Sequence, residues 1–103
     1  MRKTAFLKLI RHGENSKVVF RPDTITNDVL ATEVSALLNL QGGLLILGVE
    51  DDGSVAGIAR DRPEEWVMTA CRDKIRSELI PYYEIIRDAE PGKDVTIIQV
   101  DRG

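Results

Sequence analysis

The chain reads as an α+β domain, a two-layer mixed sheet with helices mainly on one face, in the order α-β-α-β-β-α-β-β. Three observations lead there. Residues 44–49 (LLILGV) form an apolar run bounded by glycine, the pattern of a central strand covered on both sides. Two long stretches, one opening at Thr26 and one near Pro63, carry apolar residues at helical spacing. Asp52-Gly53 and Pro91-Gly92 each separate two β-prone runs, as hairpin turns do. Helices laid on a sheet are the economical way to bury all of these stripes together.

Residues 4–12 place Phe6, Leu7, Leu9 and Ile10 at helical spacing, with Gly13 as a stop. Lys8 and Arg11, three apart, are neighbours on the outer face of that helix, where a solvated surface is the plain reading of the pair alone. Residues 17–21 (KVVFR) form a short strand near the start of the sheet, ended by Pro22, which cannot donate to a ladder. Thr26 then opens the second helix. Its hydroxyl can accept from a free first-turn amide, Asp28 adds favourable charge, and Leu30, Val34, Leu37 and Leu38 make the apolar stripe. Asn39 near the end of that helix either caps it or serves a site. Gly42 and Gly43 are expected to close it, since a helix end calls for a residue that accepts positive φ.

After the central strand, Glu50, Asp51, Asp52 and Gly53 make a hairpin turn with residues 54–58 as the return strand. Asp61 and Glu64 have capping-box spacing around Pro63. The third helix follows, with Val67, Cys71, Ile75 and Leu79 as its apolar stripe, Trp66 and Met68 flanking, and Pro81 as its end. Arg72, Lys74 and Arg76 alternate with Asp73 and Glu78, which suits a salt-bridged solvent face. Residues 83–87 and 95–100 are two strands joined by a turn around Pro91-Gly92. The sequence stops directly after the last apolar strand, so a single domain is expected, cut short on its C-terminal side and standing at the N-terminus of something longer.

At 103 residues, 43% hydrophobic and 30% charged, the chain has an ordinary globular composition with a modest core. No run approaches the ~20 apolar residues of a membrane span and no signal core is present, so no membrane partner and a cytoplasmic location are expected. The single Cys71 lies on an apolar stripe and reads as a small buried hydrophobe. His12 has no second ligand nearby, no Gly-Lys-Ser/Thr follows the glycines, and no Ser/His/Asp order is present. No catalytic residue, metal or cofactor is therefore assigned. The net charge of -3 argues against a general polyanion binder, but its distribution is uneven. Six bases and one acid fall in residues 1–21, whereas residues 22–59 hold six acids and no base. Such a division suits phosphate contact on one face, or pairing between two copies of the chain.

Several motifs in fixed order resemble a known family. They are Gly13-Glu14-Asn15-Ser16-Lys17-Val18-Val19-Phe20-Arg21, Ala36-Leu37-Leu38-Asn39-Leu40-Gln41-Gly42-Gly43, Leu47-Gly48-Val49-Glu50-Asp51-Asp52-Gly53 with Gly57, and Ile80-Pro81. Together they look like a Schlafen-type AlbA-like domain over nearly the whole chain. The resemblance implies nucleic-acid binding, DNA before RNA, as the N-terminal module of a prokaryotic transcription regulator. It singles out Glu14, Phe20, Asn39, Gly42, Gly43, Gly48, Asp51 and Gly53 as family-motif residues. Some eukaryotic relatives are metal-dependent endoribonucleases with a Glu-x-x-x-x-Glu-Phe-Lys-like segment and a third acid after the Gly-Val strand. Glu14 matches the first acid and Asp51 or a neighbour the third, but Val19 stands at the second and Arg21 at the lysine. Losing one of three hard oxygen ligands removes charge and coordination together, so nuclease activity is not expected.

Three functions follow. The leading one is phosphate contact with nucleic acid through Arg11, Lys17 and Arg21. A degenerate metal-dependent nuclease would use Glu14 with Glu50, Asp51 or Asp52, although acids and glycine are also what a hairpin turn demands. A protein-interaction or oligomerisation module would pair the basic and acidic segments.

Overall fold

The computed structural model describes residues 1–40, 42–59, 63–74 and 82–101. It is α+β, with helices α1 (Lys3–His12), α2 (Asn27–Asn39) and α3 (Pro63–Lys74) and strands β1 (Val18–Arg21), β2 (Gly42–Leu47), β3 (Tyr82–Glu90) and β4 (Lys93–Asp101). The strands form one mixed sheet in the order β1-β2-β4-β3. β2 is interior, parallel to β1 (Val18 opposite Leu44, Arg21 opposite Leu47) and antiparallel to β4 (Gly42 opposite Asp101, Leu47 opposite Thr96). A parallel neighbour requires a crossover, and α2 supplies it. The apolar run of β2 thus has the central place expected of it.

Alternation along the strands divides the core in two. Leu45 and Leu47 of β2, with Ile98 and Val100 of β4, pack against Leu30, Val34 and Leu37 of α2 and Trp66, Val67 and Ala70 of α3. Ile46, Phe20 of β1, and Val95 and Ile97 of β4 point the other way and meet Phe6 of α1. The two long helices therefore share one face, while α1 covers part of the opposite face. α1 ends at Gly13, where φ is 81°. Thr26 caps α2, its hydroxyl accepting from the Val29 amide at 3.2 Å. Trp66 is 8% exposed and its indole N–H donates to the side-chain Oδ1 of Asn27 in α2, which fixes α3 beside the start of that helix.

Two expectations change. The return leg at 54–58 is a single Val49–Val55 bridge, not a ladder. Gly48, at φ 98°, turns the chain out of the sheet, and its carbonyl takes the amides of both Ala56 and Gly57 at 2.8 and 2.9 Å. The glycine pair does not cap α2 either. Leu40 is the cap, at φ -90°, and its amide bonds back to Ala36 and Leu37. Gly42, at φ 113°, begins β2. Gly43 is required for a different reason: a Cβ there would lie 2.6 Å from the Lys17 carbonyl oxygen and 2.7 Å from Leu37 Cδ2. Glycine lets β1, β2 and α2 approach this closely.

β3 and β4 extend further than the residues 83–87 and 95–100 expected for them, and the hairpin turns at Pro91-Gly92 as expected. A bulge between Ile86 and Glu90 puts Asp88 at φ 50°, a conformation Asp tolerates. The Asp88 amide donates to Asp94 at 2.9 Å. Asp61, Ile75, Leu79, Pro81 and the side chains of Glu64 and Cys71, on which the expected start, stripe and end of α3 depended, lie outside the described residues. Among the described residues no helix is long and apolar enough to cross a membrane.

Candidate nucleic-acid interface

Arg21 is the centre of the polar structure. β1 lies at the edge of the sheet, so some of its amides lack a strand partner. Glu14, just past the end of α1, supplies one: its Oε1 accepts the Phe20 amide at 2.7 Å. The same oxygen accepts Arg21 Nη1 at 3.0 Å. On its other side the guanidinium reaches α2, where Nε and Nη2 donate to Glu33 Oε1 at 3.2 and 3.0 Å. Nη1 also donates to the Phe20 carbonyl at 2.6 Å and lies 3.8 Å from Asp51 Oδ1 in the acidic turn. One cation thus joins β1, the segment after α1, helix α2 and the turn after β2. Its planar fork of donors suits this arrangement better than an ammonium would.

Arg21 is therefore committed to carboxylates. Glu33 completes the cluster without having been singled out in the sequence. Its only signal is position: it sits between Leu30 and Val34, on the flank of a stripe that faces the sheet. Arg21→Met should cost about 1–2 kcal/mol, less than the 3–5 kcal/mol of a fully buried pair, because these side chains are 20–33% exposed and solvent screens them. Urea unfolding at low and high salt measures this, with the loss shrinking at high salt. An unchanged midpoint would mean the pairs contribute nothing. Arg21→Lys should recover only part of the loss.

The other motif residues have varied placements. Phe20 is fully buried and belongs to the core. Gly53, at φ 87°, brings the acidic turn against α1, where an added Cβ would lie 3.1 Å from the Ile10 carbonyl oxygen. Within that turn the Ser54 hydroxyl and amide both bond Asp52, and these bonds hold its carboxyl below the usual aspartate range. Asn39 lines an open groove of about 580 Å³ along the outer face of α2 with Asp28, Thr32 and Ser35.

Of the three cations assigned to phosphate, Arg11 lies in the last turn of α1, Lys17 just before β1, and Arg21 at the far end of β1. Arg11 and Lys17 are exposed, and among the described residues neither makes an ion pair. They differ from Arg21 in being available to a ligand.

The family model described as Schlafen, AlbA_2 matches residues 11–103. The chain belongs to that family. No curated protein matches it. The match takes in every motif residue from Glu14 to Gly53, so the Schlafen, AlbA_2 pattern coincides with the sheet, with α2 and with the Arg21 cluster. The metal site of nuclease relatives does not fit these side chains. Val19, at the position of the second acid, packs against the core shared with α2 and α3. Glu14 and Asp51 face the Arg21 guanidinium, and among the described residues no three potential ligands are grouped to hold a metal.

Proposed function

We propose that this Schlafen, AlbA_2 domain binds nucleic acid, DNA before RNA, as a module of a cytoplasmic prokaryotic transcription regulator and without catalysis of its own. The observation that carries the reading is the contrast among its cations. Arg11 and Lys17, with Arg2, Lys3 and Lys8, are exposed and make no ion pair among the described residues, while Arg21 is taken up by Glu14 and Glu33. Phosphate contact therefore falls to Arg11 and Lys17, and Arg21 acts by holding the acidic turn and α2 against β1. Contacts of this kind position a duplex without reading its sequence. The net charge of -3 makes the affinity weak and dependent on salt.

Titration of labelled duplex and single-stranded oligonucleotides at two salt concentrations tests this. Exchanging Arg11 and Lys17 together for glutamate should weaken binding uniformly across sequences and reduce the slope of log affinity against log salt by roughly 1–2. Absence of binding at low salt ends the reading.

A further inference from the structure

Among the described residues, the face of the sheet that carries α1 is covered only in part. Beyond the helix, a cavity of about 350 Å³ is lined by Met1, Leu44, Tyr82, Glu84, Ile97 and Gln99. Register explains the grouping. Tyr82 of β3 is opposite Gln99 of β4, Gln99 is opposite Leu44 of β2, and Leu44 is opposite Val18 of β1. One row therefore crosses all four strands, and it brings an aromatic ring, an amide and an apolar floor to the same face.

The row is unusual in its exposure. Tyr82 is 63% exposed, the highest value among the large exposed hydrophobic residues described, although it sits in a regular strand beside buried Ile97 and half-buried Leu44. The row ends beside free positive charge. The Leu44 amide bonds the Lys17 carbonyl at 2.8 Å, so the Lys17 backbone adjoins the β1 end of the row. Arg2 and Lys3, both exposed, directly follow Met1 at the cavity's edge, and the amino terminus pairs with Glu84. A ligand that suits this end of the sheet has a flat ring for Tyr82 and negative charge for Lys17, Arg2 and Lys3. Duplex DNA keeps its rings stacked and inaccessible. An unpaired nucleotide offers both the π-face and the phosphate, and bases splayed on sheet aromatics are how single strands are commonly held.

We propose that this face takes a single-stranded segment of nucleic acid, with one unpaired base stacked on Tyr82 beside Ile97 and the phosphates of the strand spread between Arg2 and Lys3 at one end and Lys17 at the other. This deepens the nucleic-acid reading and rests on it. It gives the sheet a role distinct from the outer face of α1, where Lys8 and Arg11 meet a backbone of either form.

The test is fluorescence anisotropy of the full chain with a labelled single strand of about ten nucleotides and its duplex, since a groove of this kind spans several nucleotides. Tyr82→Ala should weaken single-strand binding roughly 5- to 100-fold, the range of one lost base stack. Tyr82→Phe keeps the ring and should stay within about twofold, and duplex affinity should not change with either variant. Circular dichroism melts confirm that both variants fold. Unchanged single-strand affinity in Tyr82→Ala, with Lys17→Glu still weakening it, overturns this site and leaves the phosphate reading standing. Failure of the unaltered chain to bind either oligonucleotide overturns both.

Discussion

Phe20→Ala should unfold far below the parent chain. The ring is fully buried, on the face of β1 that meets Phe6 and Ile46, and its removal leaves a cavity in the smaller of the two cores. Truncation of a buried phenylalanine costs about 3–5 kcal/mol. At roughly 4 °C per kcal/mol for a domain near this size, the melting temperature falls by about 12–20 °C. That loss approaches the whole stability of a marginal domain. Phe20→Leu should lose much less, because it keeps most of the packed volume. The pair of variants separates two meanings of a family-motif residue. A side chain that met nucleic acid directly would lose affinity on truncation and keep its melting point. Here the melting point should fall, and affinity measured well below it should be retained. A thermal scan showing Phe20→Ala within a degree or two of the parent would mean that the ring is not part of the core.

Gly43→Ala is the second large effect. The new methyl group would sit 2.6 Å from the Lys17 carbonyl oxygen and 2.7 Å from Leu37 Cδ2. Leu37 could move, but the Lys17 carbonyl is backbone and already accepts the Leu44 amide, so β1 and β2 would have to separate. Overpacking of this kind costs about 1–3 kcal/mol. Asparagine at the same position distinguishes this from a helix-cap role. Asparagine is well tolerated at a left-handed cap, so a capping glycine would accept it at least as readily as alanine. A glycine kept for close approach must reject the larger side chain more strongly, so Gly43→Asn should denature at lower urea concentration than Gly43→Ala. The reverse order would restore the cap. Because Lys17 is carried on the displaced backbone, Gly43→Ala should also weaken nucleic-acid binding without removing any charge.

The elements were legible because their signals are local. Thr26 announces the start of α2 through its own hydroxyl, and an apolar run with β-branched neighbours and bounding glycines announces β2. Pro91-Gly92 is likewise enough to place the β3–β4 hairpin. The site was less legible because it depends on pairs distant along the chain. Arg21 and Lys17 look alike in sequence, two cations flanking one short strand. They differ because α2 returns Glu33 to the Arg21 end of β1 while no acid among the described residues reaches Lys17. Tyr82 and Gln99 could not be connected before the β3–β4 register was known.

Sequence by itself determined the fold class, the central place of β2 and the surplus of bases near the N-terminus, since periodicity, turn chemistry and composition act over a few residues. Only the tertiary structure decided which of the described bases remain available, why Gly43 carries no side chain, and which face of the sheet the described residues leave partly open. Those are matters of distance between elements, set by crossover and register, and a charge or a methyl group has consequences only for the atoms that the fold brings within a few ångströms of it.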